Sequence, residues 1–219
     1  MAHTCRIFDA DQAKEWLDKA NKLGWLEQDR FRVIDLGQED KHKKVQAFTN
    51  YSYTTLGNNK DYTNLVVPRK TSIPVVYISD ESHSAWGYHR DDSTSKDMKR
   101  EYSVILALND PSEYEGGELV VRENGAEVNF KLPVGMCLIT HASSYIKLNK
   151  VNAGSRVICR WTVETYIKNK TFFNINLQYN QFYSAVREGL SDPADELLSL
   201  TNNMLLNEVA HFDLDEDFD

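Results

Sequence analysis

His89 and Asp91 stand two apart in the stretch WGYHRDD, residues 86–92. An imidazole and a carboxylate both bind divalent cations, and on a β-strand positions i and i+2 share a face. Such a pair is one imidazole short of the 2-His-1-carboxylate triad, which holds Fe(II) and leaves positions open for substrate and oxygen. Taken alone, His-x-Asp fits a surface salt link equally well. The chemistry therefore turns on a third donor and on the elements that would bring it near.

Those elements read as mainly β with flanking helices. DADQAKEWLDKANKLG predicts a helix over about 9–23, with Asp9 or Asp11 as cap, Ala13, Trp16, Leu17, Ala20 and Leu23 on one face, and Gly24 as the stop. From about residue 30 short β-rich runs follow: FRVIDL, VQAFTNY, NLVVP, IPVVYIS, YSVILAL, ELVVRE, AEVNFKL, MCLIT, SYIKL and RVICRWTVETYI. Asn124-Gly125 between two of them is a hairpin signal. Runs of this kind without alternating helices predict an antiparallel sandwich or barrel over about 30–168. Helical periodicity returns over about 171–210, where Asp192 and Pro193 open a second helix. The expectation is a single domain, 1–219, ending in the acidic tail DLDEDFD.

Bulk properties exclude several classes. A net charge of −8 argues against general nucleic-acid binding, and KHKK and SKDMKR read as solvated loop charge. The acidic tail lacks the central Gly and closing Glu of a calcium loop. No apolar run approaches the roughly 20 residues of a membrane span, and MAHTCRIFDADQ lacks the apolar core of a signal peptide. The expectation is a cytoplasmic protein with no membrane partner, in which Asn50-Tyr-Ser and Asn169-Lys-Thr carry no sugar. Cys5, Cys137 and Cys159 are odd in number and widely spaced, which fits reduced thiols. Phosphate loops, Cys-x-x-Cys pairs and hydrolase elbows are absent from the sequence.

WGYHRDD is followed by YSVILALNDPSEYEGGELVV (102–121) and KLPVGMCLITHASSYIKLNKVNAGSRV (131–157). This series resembles the PKHD-type hydroxylases, relatives of the prolyl 4-hydroxylases among the Fe(II)- and 2-oxoglutarate-dependent oxygenases. The resemblance runs from about 70 to 165, resumes at ELLSLTNNMLLNEV, and is poor over 25–70. It implies a double-stranded β-helix, the cupin-like jelly roll. It also implies that His89 and Asp91 bind iron and that Arg156 grips the far carboxylate of the co-substrate 2-oxoglutarate. A guanidinium suits that role, being always charged and able to donate two parallel hydrogen bonds. A structural Arg156 would instead need a buried acid as partner.

The departure lies at the third ligand. The family places its second His ten residues before the arginine, and here that position is Ile146, which has no lone pair. His141, five residues upstream, is the best substitute donor, and His83 a weaker one. Otherwise the metal binds through His89, Asp91, 2-oxoglutarate and water, or Ile146 is plain core beside Ser144 and Leu148. Arg160 is a second departure: it shares a face with Arg156 and is free to bind an anion, pair with Glu164, or face outward.

Two functions follow. The first is an oxygenase that uses Fe(II), 2-oxoglutarate and O₂ to hydroxylate a C–H bond, with a peptide or protein side chain as the substrate that the resemblance implies. The second is a degenerate barrel that binds a ligand or protein without turnover. A third option, zinc held by His83, His89 and Asp91, is the weakest.

Overall fold

A computed structural model describes residues 2–37, 42–91, 94–95, 98–123 and 125–167. The first half runs β1 (His3–Arg6), α1 (Ala10–Asn21), β2 (Trp25–Glu27), β3 (Arg32–Ile34), α2 (His42–Asn58), α3 (Lys60–Val66), β4 (Pro68–Thr71), β5 (Val75–Asp80) and β6 (Trp86–His89). The second runs β7 (Thr94–Ser95), β8 (Met98–Lys99), β9 (Tyr102–Ala107), β10 (Tyr114–Gly116), β11 (Leu119–Glu123), β12 (Ala126–Phe130), β13 (Met136–His141), β14 (Tyr145–Leu148) and β15 (Val151–Thr165). The helices expected over 171–210 and the acidic tail lie outside the described residues.

Two antiparallel sheets face each other. The larger has the order β1-β13-β9-β15-β5-β3-β2, with β10 and β4 also paired to β15. The smaller has the order β12-β11-β14-β6. Strand alternation sorts the large sheet's side chains into two cores. Ile105, Ala107, Leu138 and Ile158 point toward the small sheet and meet Leu119, Val121, Ile146 and Leu148. Val104, Leu106, Cys137, Ile139, Cys159, Trp161 and Val163 point the other way, onto the helices.

α1 starts as its sequence requires. Asp9 accepts from the Gln12 N–H while the Gln12 side chain accepts from the Asp9 N–H, a reciprocal cap on two orphan donors. Trp16, fully buried against Phe8 and Phe48, anchors the helix to the sheet. Truncating such a side chain costs about 3–5 kcal/mol. Trp161 on β15 donates to the Tyr62 hydroxyl of α3 at 2.9 Å, which ties the helical layer to the middle of the sheet.

VQAFTNY and the NLV of NLVVP, read above as β-runs, are helical. Phe48, Ser52 and Leu56 are the buried positions of α2, spaced by four, and Asn59 caps α3 by accepting from the Tyr62 N–H. Their Val, Thr and Tyr content suggests strand, but burial on one helical face overrides that preference. The Asn-Gly hairpin joins β11 and β12 as expected, with Gly125 at φ 82°.

Candidate active site

The mouth between the two sheets collects the charged residues singled out by the sequence. β6, the edge of the small sheet, pairs with β14 so that His89 stands opposite Ile146 and Trp86 opposite Leu148. One extra residue on β6 between these pairs makes a bulge. The bulge lets Trp86 and His89, three apart, face the same way, and their rings stack at 4.2 Å and 6°. His89 Nδ1 is 2.9 Å from the Gly87 carbonyl, which fixes the proton there and leaves a lone pair on Nε2. That Nε2 is buried and has no hydrogen-bond partner among the described residues. Burial pushes the His89 pKa down, the Gly87 hydrogen bond opposes this, and the Arg160 and Arg30 charges add to the lowering.

Asp91 lies just past β6, where its N–H donates to the Ala142 carbonyl at 3.1 Å. Its carboxylate is engaged on both oxygens: Arg160 pairs with Oδ1 and Ser103 donates to Oδ2. Arg160 therefore faces inward, with its side chain 13% exposed and its guanidinium 5.6 Å from the Trp86 ring centre. It does not pair with Glu164, which meets Arg69 at 3.0 Å instead. The register explains why Arg160 faces inward: Arg156, Ile158 and Arg160 are two apart on β15 and share the face turned to the small sheet.

Arg156 is 4% exposed. It donates to the Gly117 carbonyl at 2.8 Å and to the Ser79 hydroxyl at 3.1 Å, while its buried Nε donates to nothing. Among the described residues no carboxylate lies at ion-pair distance from it, so the buried acid that a structural role would need is not there. Burial pushes its pKa down to about 10, against the Tyr114 and Glu118 charges. A narrow cleft of about 10 Å³, room for roughly one water, runs past Arg156, Ser79, Tyr77, Trp86, Phe31 and Arg30. Phe31 packs on Tyr77 and Trp86 with ring centres 4.9 and 5.2 Å apart. The loop between β2 and β3 thus contributes Arg30 and Phe31 to the cleft, two residues that sequence reasoning missed. Phe31 sits beside a strand in an uninformative stretch, and no spacing marks it.

The two substitute donors do not join His89 and Asp91. His141 is on β13 in phase with Cys137 and Ile139, so alternation aims it at the helical side of the sheet, where it packs edge-on to Tyr102 at 5.4 Å. Its Nδ1 is 2.6 Å from the Ser143 hydroxyl. The expectation that His141 completes the metal set is corrected on this ground. His83 is buried, with Nδ1 2.8 Å from Asp80 and Nε2 2.9 Å from Glu27. Both its nitrogens are occupied, which also removes the zinc option. Among the described residues no group of three His, Cys, Asp or Glu side chains could hold a metal ion.

The fit to the implied groups is therefore uneven. The orphaned Nε2 of His89 and the carboxylate of Asp91 are suitable donors, the position opposite His89 is Ile146, and Arg156 has room in its valence for an anion.

No family model matches the sequence. The chain is 30% identical over 165 residues to a PKHD-type hydroxylase of Picosynechococcus, covering 74% of each chain. It is 24% identical over 194 residues to a PKHD-type hydroxylase of Acinetobacter baumannii, covering 86% of this chain and 84% of that one. The chain belongs to the PKHD-type hydroxylases. Solved structures agree on the fold. A 2OG-Fe(II) oxygenase-family oxidoreductase from Burkholderia pseudomallei gives a TM-score of 0.52 at 16% identity, covering 74% of this chain and 82% of that one. The non-heme alpha-ketoglutarate-dependent carbocyclase SnoK of nogalamycin biosynthesis gives 0.57 at 9% identity, covering 75% and 79%. The protein is thus a member of the PKHD-type hydroxylase family on a double-stranded β-helix, the fold expected from its sequence. Among the described residues no helix is long and apolar enough to cross a membrane.

Proposed function

We propose that this PKHD-type hydroxylase hydroxylates a C–H bond of a peptide or protein side chain, with His89 and Asp91 holding Fe(II) and Arg156 anchoring 2-oxoglutarate. The observation that carries the reading is Arg156: a buried cation with two neutral hydrogen-bond partners, a free Nε and, among the described residues, no carboxylate at ion-pair distance. Leaving such a charge unpaired is costly, and a bound carboxylate offsets that cost.

The residues divide the work. Arg156, steadied by Gly117 and Ser79, fixes one end of the co-substrate. His89 stays neutral through its lowered pKa, keeping Nε2 available as a donor. Asp91 becomes a donor as it leaves Arg160, and the released guanidinium has the Trp86 face nearby. Phe31, Tyr77 and Trp86 form an apolar wall that keeps water from the reacting end. When bound, iron with 2-oxoglutarate would supply the oxidising power that side chains lack, so that O₂, the co-substrate and a substrate C–H bond give succinate, CO₂ and the hydroxylated substrate. A peptide substrate is supported by the fold shared with a Pseudomonas putida prolyl-4-hydroxylase, at a TM-score of 0.50 and 12% identity, and by the open flank of the cleft at Gln28, Asp29, Arg30 and Phe31.

A second reading, a barrel that binds without turnover, is favoured by Ile146 and by the Arg160–Asp91 pair. Anaerobic Fe(II) titration with 2-oxoglutarate separates the two through the visible charge-transfer band of the chelate. A band in the unaltered protein, followed by succinate release in air, supports the hydroxylase. A band that appears only in Ile146→His establishes the binding module.

A further inference from the structure

The three cysteines, scattered in the sequence, fall on one line across the large sheet. Cys5 of β1 stands opposite Cys137 of β13, and Cys137 and Cys159 both stand opposite Leu106 of β9. Two strand spacings separate Cys159 from Cys137, about 10 Å. That exceeds the roughly 7 Å between Cα atoms that a disulfide can bridge. Cys5 and Cys137 are direct cross-strand neighbours, and facing residues of an antiparallel pair have Cα atoms about 4.5–5.5 Å apart. This lies within the disulfide range of about 4.4–6.8 Å. Their sulfurs are 3.1 Å apart, and both are free thiols.

The register that holds them is locked. The Gly135 carbonyl accepts from the Ile7 and Phe8 N–H groups at 2.9 and 3.1 Å. Gly135 sits at φ +77°, and a Cβ there would lie 1.9 Å from the Phe8 carbonyl oxygen, so a side chain is excluded. Phe8 in turn is seated against Trp16 in the core. β1 cannot slip on β13 without dismantling this anchor, and the thiols stay aligned. The two also differ in access. β1 is an edge strand and Cys5 is half-buried, whereas Cys137 is fully enclosed. Burial pushes the Cys137 thiol up, which keeps it protonated.

We propose that Cys5 and Cys137 are an oxidisable dithiol that closes to a disulfide when the protein meets a hydroperoxide, stapling β1 to the core. The Cys5 thiolate attacks the O–O bond, keeps one oxygen as a sulfenic acid, and releases the other as water from hydrogen peroxide. The Cys137 sulfur then attacks the Cys5 sulfur. The S–S bond forms, the S–O bond breaks, and the hydroxyl leaves as a second water with the Cys137 proton. Two thiols are oxidised and one peroxide is reduced. The staple closes a segment spanning 132 positions that includes His89 and Asp91. It also clamps the strand leading to Ala142, whose carbonyl accepts from the Asp91 N–H. The inference rests on the β1–β13 register alone and stands or falls apart from the reading of the metal site.

The test uses the full-length protein, reduced and then treated with hydrogen peroxide in the presence of a chelator. Free thiols are alkylated in denaturant, and a non-reducing digest is mapped by mass spectrometry. The expected result is a peptide pair joined through Cys5 and Cys137, with Cys159 alkylated, reversal by dithiothreitol, and a Tm several degrees higher after oxidation. Cys5→Ser should abolish the linkage and the Tm shift while Cys137 remains alkylatable. Cys5 accumulating as sulfinic acid with Cys137 still alkylatable would overturn the proposal, as would a Cys137–Cys159 link or no reaction. The map of the unaltered protein decides the matter, so a Cys137→Ala variant that fails to fold does not.

Discussion

Two charged regions between the sheets, one around Arg156 and one around His89, are built on opposite electrostatic terms. At the Arg156 end a buried guanidinium donates, among the described residues, to a carbonyl and a hydroxyl and keeps an unused donor. At the His89 end the carboxylate of Asp91 is already engaged by Arg160 and Ser103, and the residue opposite His89 is the buried Ile146. One end is incomplete without an anion, while the other is nearly complete without a cation. A net-neutral pair inside a barrel resists an incoming ion, because the ion must replace a short-range partner as well as shed water. The contrast teaches that affinity for the co-substrate and affinity for the metal are separable properties of this chain.

The strongest break in the comparison is Arg156→Met. Loss of the charged double hydrogen bond should weaken 2-oxoglutarate binding by about 100-fold or more by calorimetry. The same change should leave Tm unchanged or higher, since it removes an unpaired buried charge. Ile146→His acts on the other end. An added imidazole opposite His89 should tighten Fe(II) by more than about tenfold, given that even groups behind the ligands are worth roughly 10–100-fold. Equal Fe(II) affinity in both proteins would mean that position 146 does not face the metal.

Arg160→Met sharpens the contrast further. It should lower the Tm of the metal-free protein, because breaking a buried pair costs about 3–5 kcal/mol, and added Fe(II) should restore it. A drop that Fe(II) does not restore would show that Asp91 is no donor. His141→Ala should change Fe(II) affinity by less than about twofold, as the ring lies on the helical side of the sheet. The smallest expected effect is one of pH. Burial holds the Arg156 pKa down to about 10, still well above neutrality. Its charge is present below that value and lost only as pH rises through it, so 2-oxoglutarate affinity should stay flat from roughly pH 7 to 9. A decline across that window would point to a different titrating group.

Much of the site was legible because it is carried by residue type and phase. The parity of Arg156 and Arg160 on β15 places both on one face, and the two do share it. The same parity, applied to β13, sends His141 away from the cleft, but the strand boundaries needed to count it are not fixed by composition. Trp86 beside His89 depends on a bulge in β6, and nothing in WGYHRDD announces it. The helices α2 and α3 were hidden by β-branched and aromatic residues that elsewhere in the chain do build strands.

By itself the sequence determined the barrel, through alternating runs and turn residues whose preferences act over a few positions. It also named the candidate donors His89 and Asp91 and the isoleucine at position 146, since a side chain's chemistry needs no neighbours. Only the tertiary structure decided that Arg160 neutralises Asp91, that Phe31 and Arg30 border the cleft, and that Cys5 lies against Cys137. Each of these joins residues far apart in the chain. Strand register and sheet order bring them together, and both are settled by burial summed over the whole molecule, with no local signal.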